Sequence, residues 1–285
     1  MKAQLIEGKR ISAEIKAEAA EEAAALKANG ITPCLAVVLV GDDSASQVYV
    51  NNKKKACEAV GIRSVSHVLS GGTTEEELLE LIAKLNADKD IHGILVQMPV
   101  PKQIDERKVI LAIDPKKDVD CFHPVNVGNL HTGGEGFLPC TPAGIIELIK
   151  RSGHSIEGKQ CVVIGRSNIV GKPVAMLLMQ ENGTVTICHS KTKNLAEICR
   201  GADIIVSAVG KVNTVTADMV KEGAILIDVG MNRNEAGKLC GDVDFENVKE
   251  IAGAITPVPG GVGPMTIAML MKNCNTAVKI QNGLQ

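Results

Sequence analysis

Aromatic residues are almost absent from this chain. Its 285 residues include one tyrosine, three phenylalanines and no tryptophan. The core must therefore be built from aliphatic side chains, and these are plentiful because hydrophobic residues make up 45% of the sequence. Stacking of bases on aromatic rings, a common way of holding single-stranded nucleic acid, is disfavoured.

The chain also lacks strong net charge, paired cysteines and long apolar runs. Its net charge is −2 with no strongly basic segment, which disfavours DNA or RNA as a partner. Its nine cysteines form no C-x-x-C pair and no cluster with histidine, so we expect no metal site, no disulfide framework and a reducing compartment. No run approaches the ~20 apolar residues of a membrane span, and no signal peptide is visible. We expect a soluble, cytoplasmic protein that does not bind membranes.

Strand-like and helical segments alternate along the first half of the chain. Residues 10–28 have the pattern of an amphipathic helix, residues 33–40 are predicted as a buried strand, residues 63–69 as an alternating strand and residues 92–98 as a third strand. This alternation predicts parallel βαβ units and an α/β fold. The carboxyl ends of parallel strands share one edge of the sheet, where open α/β sheets bind their ligands.

Several polar residues are predicted at that edge. Tyr49 and Lys53 lie four residues apart on one face of a helix that follows the first buried strand. Lys53 opens a run of three lysines, and such a run is usually a solvated helix face. Gln97 ends the third strand on the same side of the sheet, although a polar strand end is equally expected. Asp118 and Asp120 share a face in extended chain, or they are simple loop acids.

The second half contains a glycine-bearing turn between a strand and a helix. Residues 160–164 form the predicted strand, and the turn over residues 165–171 is the place where a dinucleotide pyrophosphate binds backbone N–H groups. The middle glycine of G-x-G-x-x-G is absent, so the motif alone is weak. The next strand ends without an acid, and Ser190 with basic neighbours and Arg166 suit a 2′-phosphate, which favours NADP over NAD.

Three further glycine-containing positions follow. Two predicted strands end at Gly210 and Gly230, where the glycines either let a cofactor approach closely or form turns. Residues 257–263 form a rigid glycine-rich loop before Pro264, which is placed to open a helix. This loop is either part of a ligand site or a tight turn before the last helix.

Five motifs in chain order make the sequence recognisable. They are Gly41…Tyr49-Val50-x-x-Lys53, Val96-Gln97-x-Pro99-x-Pro101, Lys117-Asp118-Val119-Asp120, Gly165-Arg166-Ser167-x-Ile169-Val170-Gly171-x-Pro173 and Pro259-Gly260-Gly261-Val262-Gly263-Pro264-Met265-Thr266. Together they resemble the bifunctional methylenetetrahydrofolate dehydrogenase/methenyltetrahydrofolate cyclohydrolase family of one-carbon metabolism, over nearly the whole chain. Each motif alone is weak, but the ordered set is specific.

The resemblance implies a fold and a domain division. The fold would be α/β with two domains, an N-terminal three-layer α/β folate domain and a Rossmann-like NADP domain, with a cleft between them. Residues 1–139 would form the folate-binding catalytic domain, with the C-terminal helix 264–285 packing back on it. Residues 140–263 would bind NADP. The family is typically homodimeric.

The resemblance also implies roles for individual residues. Lys53 would be the catalytic lysine, Tyr49 would line the folate, Gln97 would hydrogen-bond and tune Lys53, and Asp120 would hold the pterin through its amino group. The other implied substrate contacts are Gly261, Val262 and Pro264. The implied cofactor contacts are Gly165, Arg166, Ser167, Ile169, Gly171, Ser190, Gly210 and Met231.

Cys121 and Met231 depart from the residues usual in this family. Cys121 stands where the family often has glycine, so the resemblance does not define the backbone conformation beside Asp120. Met231 stands where isoleucine is usual, which matters little for a backbone contact.

Three rival functions fit parts of the sequence. An amino-acid or shikimate-type dehydrogenase would also pair a lysine-bearing domain with a nucleotide domain, but it would leave the set of Tyr49, Gln97 and Asp120 unexplained. A non-catalytic folate- or NADP-binding protein is a second possibility, against which the intact Lys53 argues. The third is an enzyme of the same family that keeps only one of the two activities.

Overall fold

The computed structural model describes residues 2–284, which form short strands and ten α-helices. The strands are β1 (Gln4–Leu5), β2 (Cys34–Val40), β3 (Arg63–Leu69), β4 (Gly93–Val96), β5 (Gln160–Ile164), β6 (Thr184–Cys188), β7 (Ile204–Ser207), β8 (Ile225–Asp228), β9 (Asn232–Arg233), β10 (Leu239–Cys240) and β11 (Ala254–Ile255). The helices are α1 (Gly8–Ala28), α2 (Ser44–Val60), α3 (Glu75–Ala87), α4 (Glu106–Ala112), α5 (Pro124–Thr132), α6 (Cys140–Arg151), α7 (Gly171–Gln180), α8 (Leu195–Arg200), α9 (Phe245–Val248) and α10 (Val262–Asn282).

The chain divides into two compact units, each with its own parallel sheet. The three-stranded unit comprises Glu14–Cys140 and Ile267–Gln285, and the six-stranded unit comprises Met1–Ala13 and Thr141–Thr266. This division differs from the predicted one at the N-terminus, because β1 pairs with β11 and so joins the first residues to the six-stranded unit. The assignment of folate to one part and NADP to the other stays a prediction.

The sheet of the three-stranded unit has the order β3-β2-β4, and all its strands are parallel. Every residue of the central strand β2 is buried, as expected where both faces of a parallel strand are covered. Alternate β2 residues from Cys34 to Val40 pack with side chains of α3 and α4 on one face, while Leu35, Val37 and Leu39 point to the other face and are equally buried. The predicted α/β fold is confirmed here.

Helix α2 has clear start and stop signals. The Asp43 carboxylate caps its first turn by accepting a hydrogen bond from the Ser46 N–H at 2.8 Å. Gly61 ends the helix in the left-handed conformation, at φ 80°. These two signals set the ends of α2, with Tyr49 in its first half and Lys53 near its middle.

Two buried asparagines on α10 fasten that helix to the three-stranded unit. The Asn273 side chain donates hydrogen bonds to the carbonyl oxygens of Val119 and Leu138, both at 2.8 Å. The Asn275 side chain donates to the carbonyl oxygen of Ala19 on α1, also at 2.8 Å. These bonds satisfy backbone acceptors in the interior, where an unpaired group would cost about 1–3 kcal/mol.

The sheet of the six-stranded unit has the order β1-β11-β8-β7-β5-β6, and its strand pairs are parallel. From β5 the chain moves outward to β6 and then returns to β7 on the other side of β5. The carboxyl ends of β5 and β7 therefore form a topological switch point, where doubly wound sheets bind nucleotides. The predicted Rossmann-like topology is confirmed.

Two expectations from the sequence concern the state of the cysteines and the presence of a membrane-spanning helix. All nine cysteines are free thiols, and all but Cys240 are buried. From residue 2 to residue 284, no helix is both long and apolar enough to cross a membrane.

The backbone at Cys121 explains why glycine would suit this position. Cys121 has φ 62°, in the left-handed region that side chains with a Cβ rarely adopt. Its side chain is 1% exposed, and its thiol donates a hydrogen bond to the Phe137 carbonyl oxygen at 3.3 Å. The cysteine therefore combines an unfavourable backbone conformation with a favourable buried contact.

Two substitutions separate these effects. Cys121→Ala and Cys121→Gly both remove the thiol, but only the glycine variant also removes the Cβ. We expect Cys121→Gly to be more stable than Cys121→Ala by about 1 kcal/mol, because left-handed backbone is costly for residues with a Cβ. Urea denaturation of the two variants measures the difference. An alanine variant as stable as the glycine variant would contradict a strained backbone at this position.

Candidate functional site

Lys53 and Gln97 are joined by a hydrogen bond in the three-stranded unit. Lys53 is half-buried on α2, and its Nζ donates to Gln97 Oε1 at 2.9 Å. Gln97 directly follows β4, and its own Nε2 donates to the Met98 carbonyl oxygen at 2.8 Å. The amide is therefore held at both ends, with its oxygen turned toward the amine. The contact predicted between Lys53 and Gln97 is present.

The lysine run divides as helix geometry requires. Lys54 and Lys55 are exposed, whereas Lys53 is half-buried. The interpretation of the run as a solvated face therefore applies to two of its members only. Tyr49 lies one turn before Lys53 on the same face of α2 and is 40% exposed.

Asp118 and Asp120, which looked equivalent in the sequence, have different environments. Asp118 is 2% exposed and accepts hydrogen bonds from the Phe122 and His123 N–H groups at 3.2 and 2.8 Å. It also accepts one from Asn126 Nδ2 at 2.8 Å. Asp118 thus caps the chain that leads into α5, and its interpretation as a structural loop acid is the one that fits.

Asp120 is half-buried, and its Oδ1 accepts a long hydrogen bond from the Cys140 thiol at 4.0 Å. Burial raises its pKa from 3.8 to about 6, the positive charge of Lys53 lowers this pKa and the negative charge of Asp118 raises it. Lys53 is therefore near enough to Asp120 for its charge to lower the pKa of this carboxyl. The cavity that Asp120 borders is mainly apolar, with walls formed by Ile94, Leu95, Val96, Met98, Ile110, Ile113, Asp118 and Phe122.

The six-stranded unit carries the glycine turn at the switch point. Gly165 has φ 126°, and a Cβ on it would lie 2.4 Å from the Ala208 carbonyl oxygen. A Cβ on Gly171 would lie 2.3 Å from the Gly165 carbonyl oxygen. The Ser167 Oγ accepts hydrogen bonds from the Val170 and Gly171 N–H groups, both at 3.2 Å, and so caps the start of α7. Two glycines and one serine thus make a compact turn without the missing middle glycine.

The side chains around this turn fit a phosphorylated nucleotide. Arg166 and Ser167 are exposed after β5, and Ser190 and Lys191 are exposed after the adjacent strand β6. No carboxylate occurs over residues 188–192 to receive a ribose hydroxyl. A guanidinium, an ammonium and a hydroxyl on neighbouring strand ends form the donor set that a 2′-phosphate requires.

The other predicted cofactor contacts also lie at strand ends of this sheet. Ile169, in the glycine turn, is 52% exposed. Gly210 follows β7 with φ 75°, and Met231 follows β8 and is 56% exposed. The loops carrying Gly210 and Met231 meet at Asp242, a buried carboxylate that the sequence patterns did not single out.

The predicted substrate contacts Gly261, Val262 and Pro264 belong to the six-stranded unit, whereas Lys53 belongs to the three-stranded unit. Gly261 and Val262 are buried and Pro264 is half-buried at the start of α10. A Cβ on Gly8 would lie 1.8 Å from the Gly261 carbonyl oxygen, so the start of α1 packs directly on this loop. Sequence reasoning missed Gly8, because only this distant contact marks it.

The pKa of Asp120 leads to a prediction about pH. Because the pKa is about 6 in the folded protein and 3.8 ordinarily, the folded state binds the proton more tightly, and stability falls as pH rises between these values. Asparagine does not titrate, so Asp120→Asn should gain stability relative to the wild type between about pH 4 and pH 7. We expect a gain of about 2 kcal/mol after allowing for partial exposure of the carboxylate.

Urea denaturation of Asp120→Asn and of the wild type across that pH range measures the difference. A stability difference that stays constant with pH would show that burial does not raise the pKa of this carboxyl.

Comparison with known proteins assigns both parts of the chain to one protein family. Residues 6–120 match the model of the tetrahydrofolate dehydrogenase/cyclohydrolase catalytic domain. Residues 139–282 match the model of the NAD(P)-binding domain of the same family. The bifunctional protein FolD of Acetivibrio thermocellus is 61% identical over 281 residues, which cover 99% of each chain.

Solved structures give the same result. The bifunctional FolD enzyme of Campylobacter jejuni is 52% identical with a TM-score of 0.95, over 98% of this chain and 99% of that one. The Trypanosoma brucei enzyme, solved with NADP and an inhibitor, is 41% identical with a TM-score of 0.93, over 99% of both chains. Shikimate dehydrogenase of Aquifex aeolicus, at 15% identity and a TM-score of 0.52 over 87% of this chain and 92% of that one, shares the fold alone. With both family domains matched in order, the chain belongs to the tetrahydrofolate dehydrogenase/cyclohydrolase family.

Proposed function

We propose that this enzyme oxidises methylenetetrahydrofolate to methenyltetrahydrofolate with NADP and then hydrolyses the product to 10-formyltetrahydrofolate. The observation that carries the proposal is the Lys53–Gln97 hydrogen bond beside the partly desolvated carboxylate of Asp120. A shikimate-type dehydrogenase would leave the set of Tyr49, Gln97 and Asp120 unexplained. The chain that holds it also carries a nucleotide-binding turn at the switch point of its second sheet.

Asp120 is suited to hold the pterin ring. Its raised pKa shows that the ionised carboxylate lacks enough donors or charge to offset its burial. The amino group and adjacent ring N–H of a pterin would supply two hydrogen bonds to it. Tyr49, exposed one turn before Lys53, offers an aromatic surface and a hydroxyl to the same ligand.

In the dehydrogenase step, a hydride leaves the one-carbon bridge of the folate for the nicotinamide ring that NADP supplies. Positive charge then develops on the bridge carbon and is shared with the two folate nitrogens attached to it. The protein needs no acid or base for this transfer, so its contribution is to hold the two rings in register. Asp120 and Tyr49 would do so for the folate.

In the cyclohydrolase step, water adds to the methenyl carbon and one carbon–nitrogen bond breaks. A proton must leave the water, and a proton must reach the departing nitrogen. Lys53 in its neutral amine form would accept the proton from the water at Nζ and then donate it to the departing nitrogen, with Gln97 Oε1 holding Nζ in place at 2.9 Å. Because the Gln97 amide is itself held by the Met98 carbonyl, the amine has little freedom to turn away.

The cofactor would lie across the carboxyl ends of β5, β6 and β7. Gly165, Ser167, Ile169 and Gly171 form the turn that would receive the pyrophosphate, since only glycine fits where Gly165 and Gly171 approach neighbouring backbone. The 2′-phosphate would contact Arg166 and Ser190. Gly210 and Met231 would border the remaining part of the nucleotide.

We also propose that the enzyme is a cytoplasmic homodimer. The support is the resemblance to a dimeric family, together with nine free thiols, which are typical of a reducing compartment. Light scattering of the purified protein measures the oligomeric mass directly, and a monomer at micromolar concentration would rule out a stable dimer.

Replacing Lys53 tests the hydrolytic role. We expect Lys53→Met to lower the hydrolysis of methenyltetrahydrofolate by about 10²–10⁴-fold, the range that general acid–base catalysis contributes. The measurement is the decay of methenyl absorbance. The matched control is Lys54→Met, which removes an exposed lysine from the same helix and should hydrolyse at the wild-type rate. Hydrolysis that survives in Lys53→Met would assign the proton transfers to another group.

Replacing Arg166 tests the choice of nucleotide. We expect Arg166→Ala to raise the KM for NADP by about 10- to 100-fold and to leave the KM for NAD unchanged, because a charge-assisted contact to phosphate is lost. Lys172→Ala is the control, since Lys172 is an exposed cation whose Nζ donates to Asn168 Oδ1 at 2.7 Å. Equal weakening of both nucleotides by Arg166→Ala would place Arg166 at a part that NADP and NAD share.

A further inference from the structure

Two buried carboxylates lie at the carboxyl edge of the six-stranded sheet, outside the residues assigned to the site so far. Asp228 is the last residue of β8 and is 3% exposed, and Asp242 follows β10 and is 0% exposed. The hydrogen bonds to both carboxylates come from backbone N–H groups and from neutral side chains. Such carboxylates act as fixed acceptors that organise the backbone around them.

The Asp242 carboxylate binds the loop after β7 through hydrogen bonds. Its Oδ2 accepts from the Val209 N–H at 2.8 Å and the Gly210 N–H at 3.2 Å, and its Oδ1 accepts from the Lys211 N–H at 2.9 Å. Three consecutive backbone donors therefore converge on one carboxylate. The Ser207 Oγ, at the end of β7, donates to Oδ2 at 3.1 Å.

The same carboxylate also reaches the loop after β8. The Asn232 Nδ2 donates to Asp242 Oδ1 at 2.9 Å and to the Gly241 carbonyl oxygen at 3.0 Å. Asn232 directly follows Met231, one of the predicted cofactor contacts. Asp242 is thus the common anchor of the loops that carry Gly210 and Met231.

Asp228 holds Asp242 in turn. Its Oδ1 accepts from the N–H groups of Gly230 and Asp242, both at 2.9 Å, and its Oδ2 accepts from the Val243 N–H at 2.9 Å. The backbone N–H of Asp228 donates to Thr256 Oγ1 at 2.8 Å, which ties the pair to the chain just after β11. The two carboxylates therefore form one connected network.

Two glycines make room for this pair. A Cβ on Gly230 would lie 2.2 Å from Asp242 Oδ1, and a Cβ on Gly241 would lie 1.9 Å from Asp228 Oδ2. Real Cβ atoms do not approach oxygen so closely, so each carboxylate fits against a position that only glycine can occupy. The glycine predicted at residue 230 to admit a cofactor or form a turn thus makes room for a carboxylate of the protein itself.

We propose that Asp242 is a positioning residue for the nicotinamide nucleotide, because it holds the two loops that carry Gly210 and Met231. The inference rests on the proposed NADP site. The N–H and C=O of a trans peptide point in opposite directions, so binding three N–H groups turns the carbonyl oxygens of Ala208, Val209 and Gly210 away from Asp242. The loop then presents fixed acceptors and the Val209 side chain, which is 45% exposed.

A carboxylate elsewhere on the same strand provides a matched control. Asp203 lies directly before β7, at the opposite end from the loop that Asp242 binds. Its Oδ2 accepts from the Gln160 N–H at 2.8 Å, and its Oδ1 pairs with the Lys221 ammonium. Asp203→Asn therefore perturbs a carboxylate that anchors backbone in the same sheet but is remote from the nucleotide edge.

The test compares NADPH binding, measured by fluorescence titration, in the full-length wild type, Asp242→Asn and Asp203→Asn. We expect Asp242→Asn to raise the Kd for NADPH by about tenfold or more, because its amide NH₂ faces N–H donors and the loops lose their common acceptor. Asp203→Asn should stay within about twofold of the wild type. Thermal melting of the same samples reports the loss of stability, which both variants can show.

The outcomes separate this inference from the proposed function. Equal NADPH affinity in the wild type and Asp242→Asn, or equal weakening in both variants, would overturn the positioning role. A wild-type protein that fails to bind NADPH would instead overturn the cofactor assignment. If Asp242→Asn does not fold, Asn232→Ala replaces it, because this variant removes one donor to the Asp242 carboxylate. The inference then requires that Asn232→Ala weakens NADPH binding by at least about threefold relative to Asp203→Asn.

Discussion

Backbone N–H groups lose their strand partners where parallel strands end, and the need to give them other acceptors is the constraint on which this structure depends. Each strand must pass into a loop at the same edge, and a buried N–H without an acceptor is costly. In the three-stranded unit Asp118 accepts the N–H groups that lead into α5. In the six-stranded unit Asp242 accepts three consecutive N–H groups after β7. Each of these carboxylates thus binds the backbone of a loop through more than one N–H group.

Because those carboxylates bind backbone N–H groups, the candidate groups for chemistry are other polar side chains. Asp120 lies two residues after Asp118, yet burial raises its pKa to about 6 and Lys53 acts on it. Gln97 has its amide nitrogen bound to the Met98 carbonyl, so its oxygen is free to hold the amine. Neighbouring residues of the same type therefore have different functions because different numbers of donors reach them.

Glycines at the edge of the six-stranded sheet allow polar groups to approach one another closely, because glycine has no Cβ. Gly165 and Gly171 touch across the nucleotide turn, while Gly230 and Gly241 each face a carboxylate. Cys121 shows the opposite case, since it keeps a Cβ at φ 62° beside Asp120. The buried contact of its thiol offsets part of the free-energy cost of this left-handed backbone conformation.

The sequence by itself determined the elements and the main site residues, because apolar runs, caps and the helix period act locally. Strands β2 to β8 and the shared helical face of Tyr49 and Lys53 could be predicted in this way, and the ordered family motifs could be recognised. Only the tertiary structure separated Asp118 from Asp120, joined β1 to β11 and revealed Asp242. These features depend on which distant N–H groups and charges surround a residue, and such long-range contacts leave no period or spacing in the chain.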